Sequence, residues 1–258
     1  MIDCVLDIEQ WSSSHRLKLN AAKSEVIWLG TRQQLTRLSQ TDMILRLNNS
    51  VLQPSAVVRN LGVYVDERLS MDDNARHCAK TCFYHLRRIR QLRRHLDYDT
   101  LYTLIRALIL SRLDYCNSLL VCSSQSTLRR LQRVQDAAAR LLCNASPRSQ
   151  ASPLRQRLHW LPMSSRIQFK LCTLMFDIQH GTAPQYLAEL CDRCDDTRLR
   201  SAARGNFAVR RTRLRVTDKA FSVAGPRAWN ALPADIKMTD SRLTFRRKLK
   251  TYLFQLNC

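Results

Sequence analysis

The chain has 258 residues, with 42 Lys plus Arg against 21 Asp plus Glu and a formal net charge of +21. Arginine supplies 34 of the cations and lysine only 8. A hydrophobic fraction of 45% excludes a wholly disordered basic tail, since disorder needs low hydrophobicity as well as charge. With 5 Gly and 7 Pro the chain is neither collagen-like nor a turn-dense all-β protein. No run approaches ~18 consecutive apolar residues, so no membrane-spanning helix and no membrane partner are expected. No charged-then-apolar signal segment opens the chain, which goes with an intracellular location, the nucleus included, and with reduced thiols. These features point to a mostly helical globular protein facing a polyanion, because guanidinium pairs with phosphate bidentately and stacks on bases. Charge alone does not choose between nucleic acid, acidic membrane and acidic protein.

In chain order, residues 3–16 read as a short amphipathic helix with Val5, Ile8 and Trp11 at helical spacing. The run Glu25 to Leu29 reads as a strand. Residues 43–53 read as a hairpin turning at Asn48-Asn49, and Val57 to Val65 as one further strand with Leu61-Gly62 inside it. From 70 to about 145 the pattern is helical. Ser70 and Asp73 resemble a capping box, followed by an apolar stripe of Ala75, Cys78, Cys82, Leu86, Ile89 and Leu96. A second helix starts near Asp97 and turns Leu101, Leu104, Ile105, Leu108 and Ile109 inward. A third runs from Ser126 with Leu128, Leu131, Val134, Ala138, Leu141 and Leu142 inward, which makes a three-helix bundle.

Residues 144–153 read as a linker. A helix near 164–180 is apolar on most sides and reads as a buried centre. Gly181 can cap it, and Pro184 can start a short helix. From 192 to 218 the chain is Arg-rich and poorly patterned, carrying Arg193, Arg198, Arg200, Arg204, Arg210, Arg211, Arg213 and Arg215. A last helix follows Ser241, with Phe245, Leu249 and Leu253 inward and Arg246, Arg247, Lys248 and Lys250 mostly outward. The fold class expected is mostly α with a small N-terminal α/β part, divided as 1–69, 70–146 and 147–258.

Ten cysteines are present. Most lie within apolar helical patterns, where a free thiol behaves as a small hydrophobe. Cys191 and Cys194 form a single C-x-x-C, and zinc needs four ligands, so structural zinc is not expected. No P-loop and no G-x-S-x-G occurs, which removes a nucleotide-cradling loop and an α/β-hydrolase nucleophile; no small-molecule substrate is expected.

Several segments carry a family resemblance. Trp11 to Glu25 (W-S-S-S-H-R-L-K-L-N-A-A-K-S-E) resembles the end of the reverse transcriptase palm in jockey-like non-LTR retrotransposons. Leu61-Gly62-Val63 with Asp66 and Leu69-Ser70 resembles that family's primer-grip turn and the start of its thumb. Ser111 to Leu120, Leu131 to Leu141, Leu158 to Lys170 and Ala220 to Pro233 are similar to later family signatures, in the family's order. The resemblance covers essentially the whole chain. It implies a truncated fragment holding the end of the palm, the thumb and the C-terminal domain of an RNA-directed DNA polymerase.

That family polymerises with two Mg²⁺ ions held by palm carboxylates, including a Y-x-D-D box. No Y-x-D-D occurs here. Asp72-Asp73 reads as helix N-terminal charge, and Asp195-Asp196 as the same kind of pair in a polar loop. The chain by itself is therefore not expected to be an enzyme or to hold a cofactor, Mg²⁺ belonging to the full-length family enzyme. What the resemblance leaves is sequence-nonspecific binding of RNA, DNA or an RNA–DNA hybrid. A non-enzymatic basic interaction protein and a non-functional relic are the alternatives.

By resemblance Lys23 matches the palm-motif lysine, which without metal carboxylates reads as solvated. Leu61 and Gly62 read either as the primer-grip turn or as an ordinary strand with a bulge. Arg87, Arg90 and Arg94 form one cationic face and Arg129, Arg133 and Arg140 another, spaced to meet successive phosphates. Arg210, Arg211 and Arg213 belong to a basic arm that could order on binding. Trp160 and Trp229 read as core beside proline turns rather than as base-stacking rings, and His159 as structural.

Overall fold

The computed structural model describes residues 2–20, 23–37, 44–47, 50–194, 205–214 and 216–257. It is mostly helical, with two separate two-stranded antiparallel sheets. The chain divides into two compact units, Met1–Asn74 and Ala75–Cys258. The boundary expected at 146/147 therefore falls inside the second unit.

The first unit opens with α1 (Ile2–Ser14), followed by the single turn α2 (Arg32–Leu35). The inward face of α1 is not the expected one. Ser12 is buried and Val5 and Glu9 are half-buried, whereas Ile8 and Trp11 are 48% and 57% exposed. The helix packs on β1 (Leu45–Leu47). β1 pairs with β2 (Ser50–Leu52), as the hairpin reading of 43–53 expects, while Met43 and the turn at Asn48-Asn49 lie outside the described residues.

The strand expected over 25–29 does not form. Val26 makes one parallel bridge, to Pro54, and its carbonyl accepts from Ser55 N–H at 2.7 Å. Proline has no N–H with which to extend a ladder. The single strand expected over 57–65 is two, β3 (Val57–Asn60) and β4 (Val63–Asp66), paired with Asn60 opposite Val63. Leu61 and Gly62 are the two-residue turn between them, at φ 46° and 85°. Two positive φ values in a two-residue loop define a type I′ turn, whose twist matches the strands; the bulge reading is thereby corrected.

The second unit is helical. α3 (Asp72–Leu92), which begins at the end of the first unit, buries Ala75, Ala79, Cys82, Leu86 and Ile89; Cys78 is only half-buried. α4 (Tyr98–Ile105) is capped by Asp97, whose side chain accepts from Thr100 N–H at 2.7 Å. It runs through a π-helical turn at Arg106–Leu110, which holds the expected Leu108 and Ile109, into α5 (Ser111–Asp114), beyond the last residue the pattern named. α6 (Gln125–Leu142) is capped by Ser124, two residues before the expected start. α7 (Ala151–Arg157) lies in the segment read as a linker and its end, and it packs on α6.

At the centre lies α8 (Met163–Gln179), with α9 (Gln185–Ala188) following Pro184. α10 (Phe221–Asn230) and α12 (Arg242–Asn257) both pack against α8, and α11 (Ala234–Lys237) connects them. Cys172, Met175, Phe176 and Ile178 meet Trp229, Phe245, Leu249 and Leu253 in one buried cluster. Phe176 stacks on Phe245 at 4.4 Å between centroids. Gly225 makes the close approach of α10 possible, since a Cβ there would stand 2.7 Å from Met175 Sδ. The expected inward residues of α8 and α12 are thus in the core. So are Trp160 and Trp229, the latter donating its indole N–H to Gly205 O at 2.8 Å. His159 is exposed at φ 52°, just beyond the end of α7.

Candidate nucleic-acid interface

The longest helix carries the most extended cationic face. Its start is built by Asp66, a buried carboxylate that accepts from Arg68 N–H, Ser70 N–H, the Ser70 hydroxyl and Met71 N–H at 2.8–3.1 Å. Burial pushes this carboxyl up, but the hydrogen bonds from Ser70, Met71 and Arg68 outweigh burial and hold it below the ordinary value. Ser70 Oγ then accepts from Asp72 N–H at 3.2 Å. The start is therefore an Asp66–Ser70 relay to Asp72: the Ser70 N–H that a capping box would direct to Asp73 donates to Asp66 instead. Asp72 and Asp73 sit in the first helical turn, where they complement the dipole.

From this anchored start α3 runs with two stripes in the same register. Ala75, Ala79, Cys82, Leu86 and Ile89 point inward, and one residue later Arg76, Lys80, Phe83, Arg87 and Arg90 line an exposed face. From residue 76 to 90 that face extends about 21 Å at 1.5 Å per residue. Lys80, Arg87 and Arg90 meet no acid among the described residues. Arg94 is exposed just beyond the helix end and donates from Nε to His95 Nε2 at 3.2 Å. Arg87 and Arg90 are exposed on α3, whereas Arg94, expected on the same helix, lies past its end in a 3-10 turn over Arg93–His95. Arg76, Lys80 and Phe83 extend the face and were missed, although their i, i+4, i+7 spacing was legible. Tyr84, also exposed, carries Arg88 over its ring at 5.7 Å, with Arg88 Nη1 donating to Tyr84 Oη at 2.8 Å.

The other expected residues divide. Arg129 and Arg133 are exposed one turn apart on α6. Arg140 shares their side of α6 by spacing, but it is half-buried, and its Nε donates to Ser149 O at 2.9 Å, tying the 144–150 loop to α6. Arg211 and Arg213 are exposed, but Arg210 donates to Asp192 Oδ2 at 3.0 Å. Arg193 donates to Gln179 O at 2.7 Å and bridges to Phe207, so this part of the Arg-rich segment is folded onto α8. Arg198, Arg200, Arg204 and Arg215, with Asp195-Asp196, lie outside the described residues. Leu61 and Gly62 form the exposed tip of the β3–β4 hairpin, and Lys23 is exposed; these three belong to the first unit.

Asp72 and Asp73, the acidic pair nearest to a Y-x-D-D box in kind, stand in the first turn of α3. No group of three or more His, Cys, Asp or Glu that could hold a metal ion occurs among the described residues. Cys191, one of the C-x-x-C pair, is buried with its thiol 3.9 Å from Met175 Sδ. Burial, with Asp192 beside it, pushes that thiol up to about 11, so it packs as a protonated hydrophobe. Among the described residues no helix is long and apolar enough to cross a membrane. No family model, no curated protein and no solved structure matches the chain.

Proposed function

We propose that this chain binds nucleic acid without reading sequence, gripping phosphates along the outer face of α3. The observation that supports this is the run of exposed cations Lys80, Arg87 and Arg90 with no acid partner among the described residues. Arginines one to two turns apart on a straight helix can meet successive phosphates while leaving base edges untouched. Arg129 and Arg133 on α6 form a second, shorter set of the same kind. The resemblance to the thumb of jockey-like reverse transcriptases names the polyanion: template RNA, or the RNA–DNA hybrid made on it. On this reading the parent activity is RNA-directed DNA synthesis, and these 258 residues supply grip, because the Y-x-D-D carboxylates are not among them.

The test is an anisotropy titration of a labelled RNA–DNA hybrid at several salt concentrations. Binding at low salt, with log affinity falling linearly against log salt, is the expected result. On duplex DNA the slope is about −0.9 per phosphate contacted, so it counts the cations engaged. Changing Arg87 and Arg90 together to Ala should make the slope shallower by about 1.8. No affinity at low salt overturns the proposal.

A further inference from the structure

We infer that the α3 face prefers single-stranded to duplex nucleic acid, with Phe83 as the platform on which an unpaired base stacks; this inference rests on the binding function proposed above. Phe83 lies within the cationic stripe itself. Lys80 stands about 4.5 Å before it and Arg87 about 6 Å after it along the helix axis. Cations alone would serve any phosphate backbone. A ring set among them adds something only a strand with free base faces can use, since in a duplex those faces are buried against one another.

Phe83 is 38% exposed. That opens part of the ring for stacking on a base with a free face. Tyr84, 47% exposed, follows directly, and the Arg88 guanidinium lies over its ring. The pair places two rings and four cations, Lys80, Arg87, Arg88 and Arg90, within three turns of helix. Interleaved rings and charges of this kind hold single strands with little sequence preference, since every base has a π face.

The experiment compares a labelled oligothymidylate of about 20 nucleotides with a duplex of the same length, on the whole chain, by anisotropy. The expected result is tighter binding of the single strand by the unchanged chain. Phe83→Ala should weaken single-strand binding by about tenfold or more and leave duplex binding within about threefold. Phe83→Trp should keep single-strand affinity, and Phe83→Leu, which keeps bulk but loses the π face, should behave like Phe83→Ala. Thermal melting of each variant checks that the helix is intact. Equal loss on both ligands, no loss on the single strand, or full retention by Phe83→Leu overturns the inference while leaving the binding function standing. Tighter binding of the duplex by the unchanged chain does the same. Failure to bind either ligand at low salt overturns the binding function and the inference with it.

Discussion

The outer face of α3 and the shell around α8 use arginine in opposite ways. Around α8, arginines are latches between separate elements of the chain. Arg166 makes a bidentate pair with Asp114, Arg242 another with Asp177 at 2.7 and 2.9 Å, and Arg155 pairs with Asp136. Arg227 meets Asp218 at 2.8 Å. On α3, by contrast, Lys80, Arg87 and Arg90 meet no acid among the described residues. A net charge of +21 does not separate these two populations. The position of the aspartates does, because a guanidinium already forked onto a carboxylate has few donors left for phosphate.

The contrast can be broken most forcefully at the core the latches enclose. Phe245 is fully buried, stacked on Phe176 and 5.7 Å from Trp229 between centroids. Phe245→Ala should cost about 3–5 kcal/mol in chemical denaturation, through lost burial and the cavity left behind. The neighbouring Arg247, exposed on α12, should change stability by less than about 0.5 kcal/mol when replaced by Ala. A small loss at Phe245 would mean that α12 is not the closing wall of this core.

Next in size is a latch. Arg155 and Asp136 are both mostly covered, and Gln132 Nε2 also donates to Asp136 Oδ1 at 2.8 Å. Asp136→Ala leaves a covered guanidinium without its partner and should cost about 2 kcal/mol. Replacing Arg87 should cost almost nothing in the same measurement. Equal costs at the two sites would erase the distinction between latch and grip.

How much of this could be read from the sequence depends on which physical signal each part left. The inward face of α12 was legible because burial writes a helical period into Phe245, Leu249 and Leu253, and α8 was legible as a buried centre because apolar residues cover most of its sides. The β3–β4 turn was not: type I′ loops usually announce themselves with Asn-Gly, and here Leu61 occupies the first positive-φ position despite its steric cost. The face of α1 was misread because Ile8 and Trp11 are apolar but face outward, while Ser12 is buried. For the candidate interface, the spacing of Arg87 and Arg90 put them one turn apart on α3, but the end of that helix at Leu92, before Arg94, left no local signal. Nothing local revealed that Arg140 would turn to Ser149 or Arg210 to Asp192, since those partners are set by tertiary packing.

The start of α3 gives a smaller effect with a definite pH dependence. Asp66→Asn keeps one acceptor oxygen but sets an NH₂ against the Ser70 or Met71 donors, and it should cost about 1–2 kcal/mol near neutrality. The Asp66 carboxyl is held below its ordinary value of 3.8. Its contribution is therefore full above that value and is lost as pH falls through the lower folded-state value. Unfolding curves of the two proteins should be well separated at neutral pH and converge in strong acid. A gap that persists unchanged into that range would show that shape, and not the charge, holds the cap.

Arg210 gives the smallest and most diagnostic effect. It pairs with Asp192, but both side chains are more than half exposed, at 58% and 61%. Exposed pairs of this kind contribute about 0–1 kcal/mol, so Arg210→Ala should barely move the unfolding midpoint. Its value lies in the binding measurement. If pairing removes an arginine from the phosphate-gripping set, Arg210→Ala should leave the salt slope on a labelled hybrid unchanged, whereas Arg87→Ala makes it shallower by about 0.9. If Arg210→Ala and Arg87→Ala shift the slope equally, a weak surface pair gives way to phosphate. Only the better-covered latches, Arg155 with Asp136 and Arg166 with Asp114, would then be lost to binding, and the line between the two populations would run through burial rather than through the presence of an aspartate.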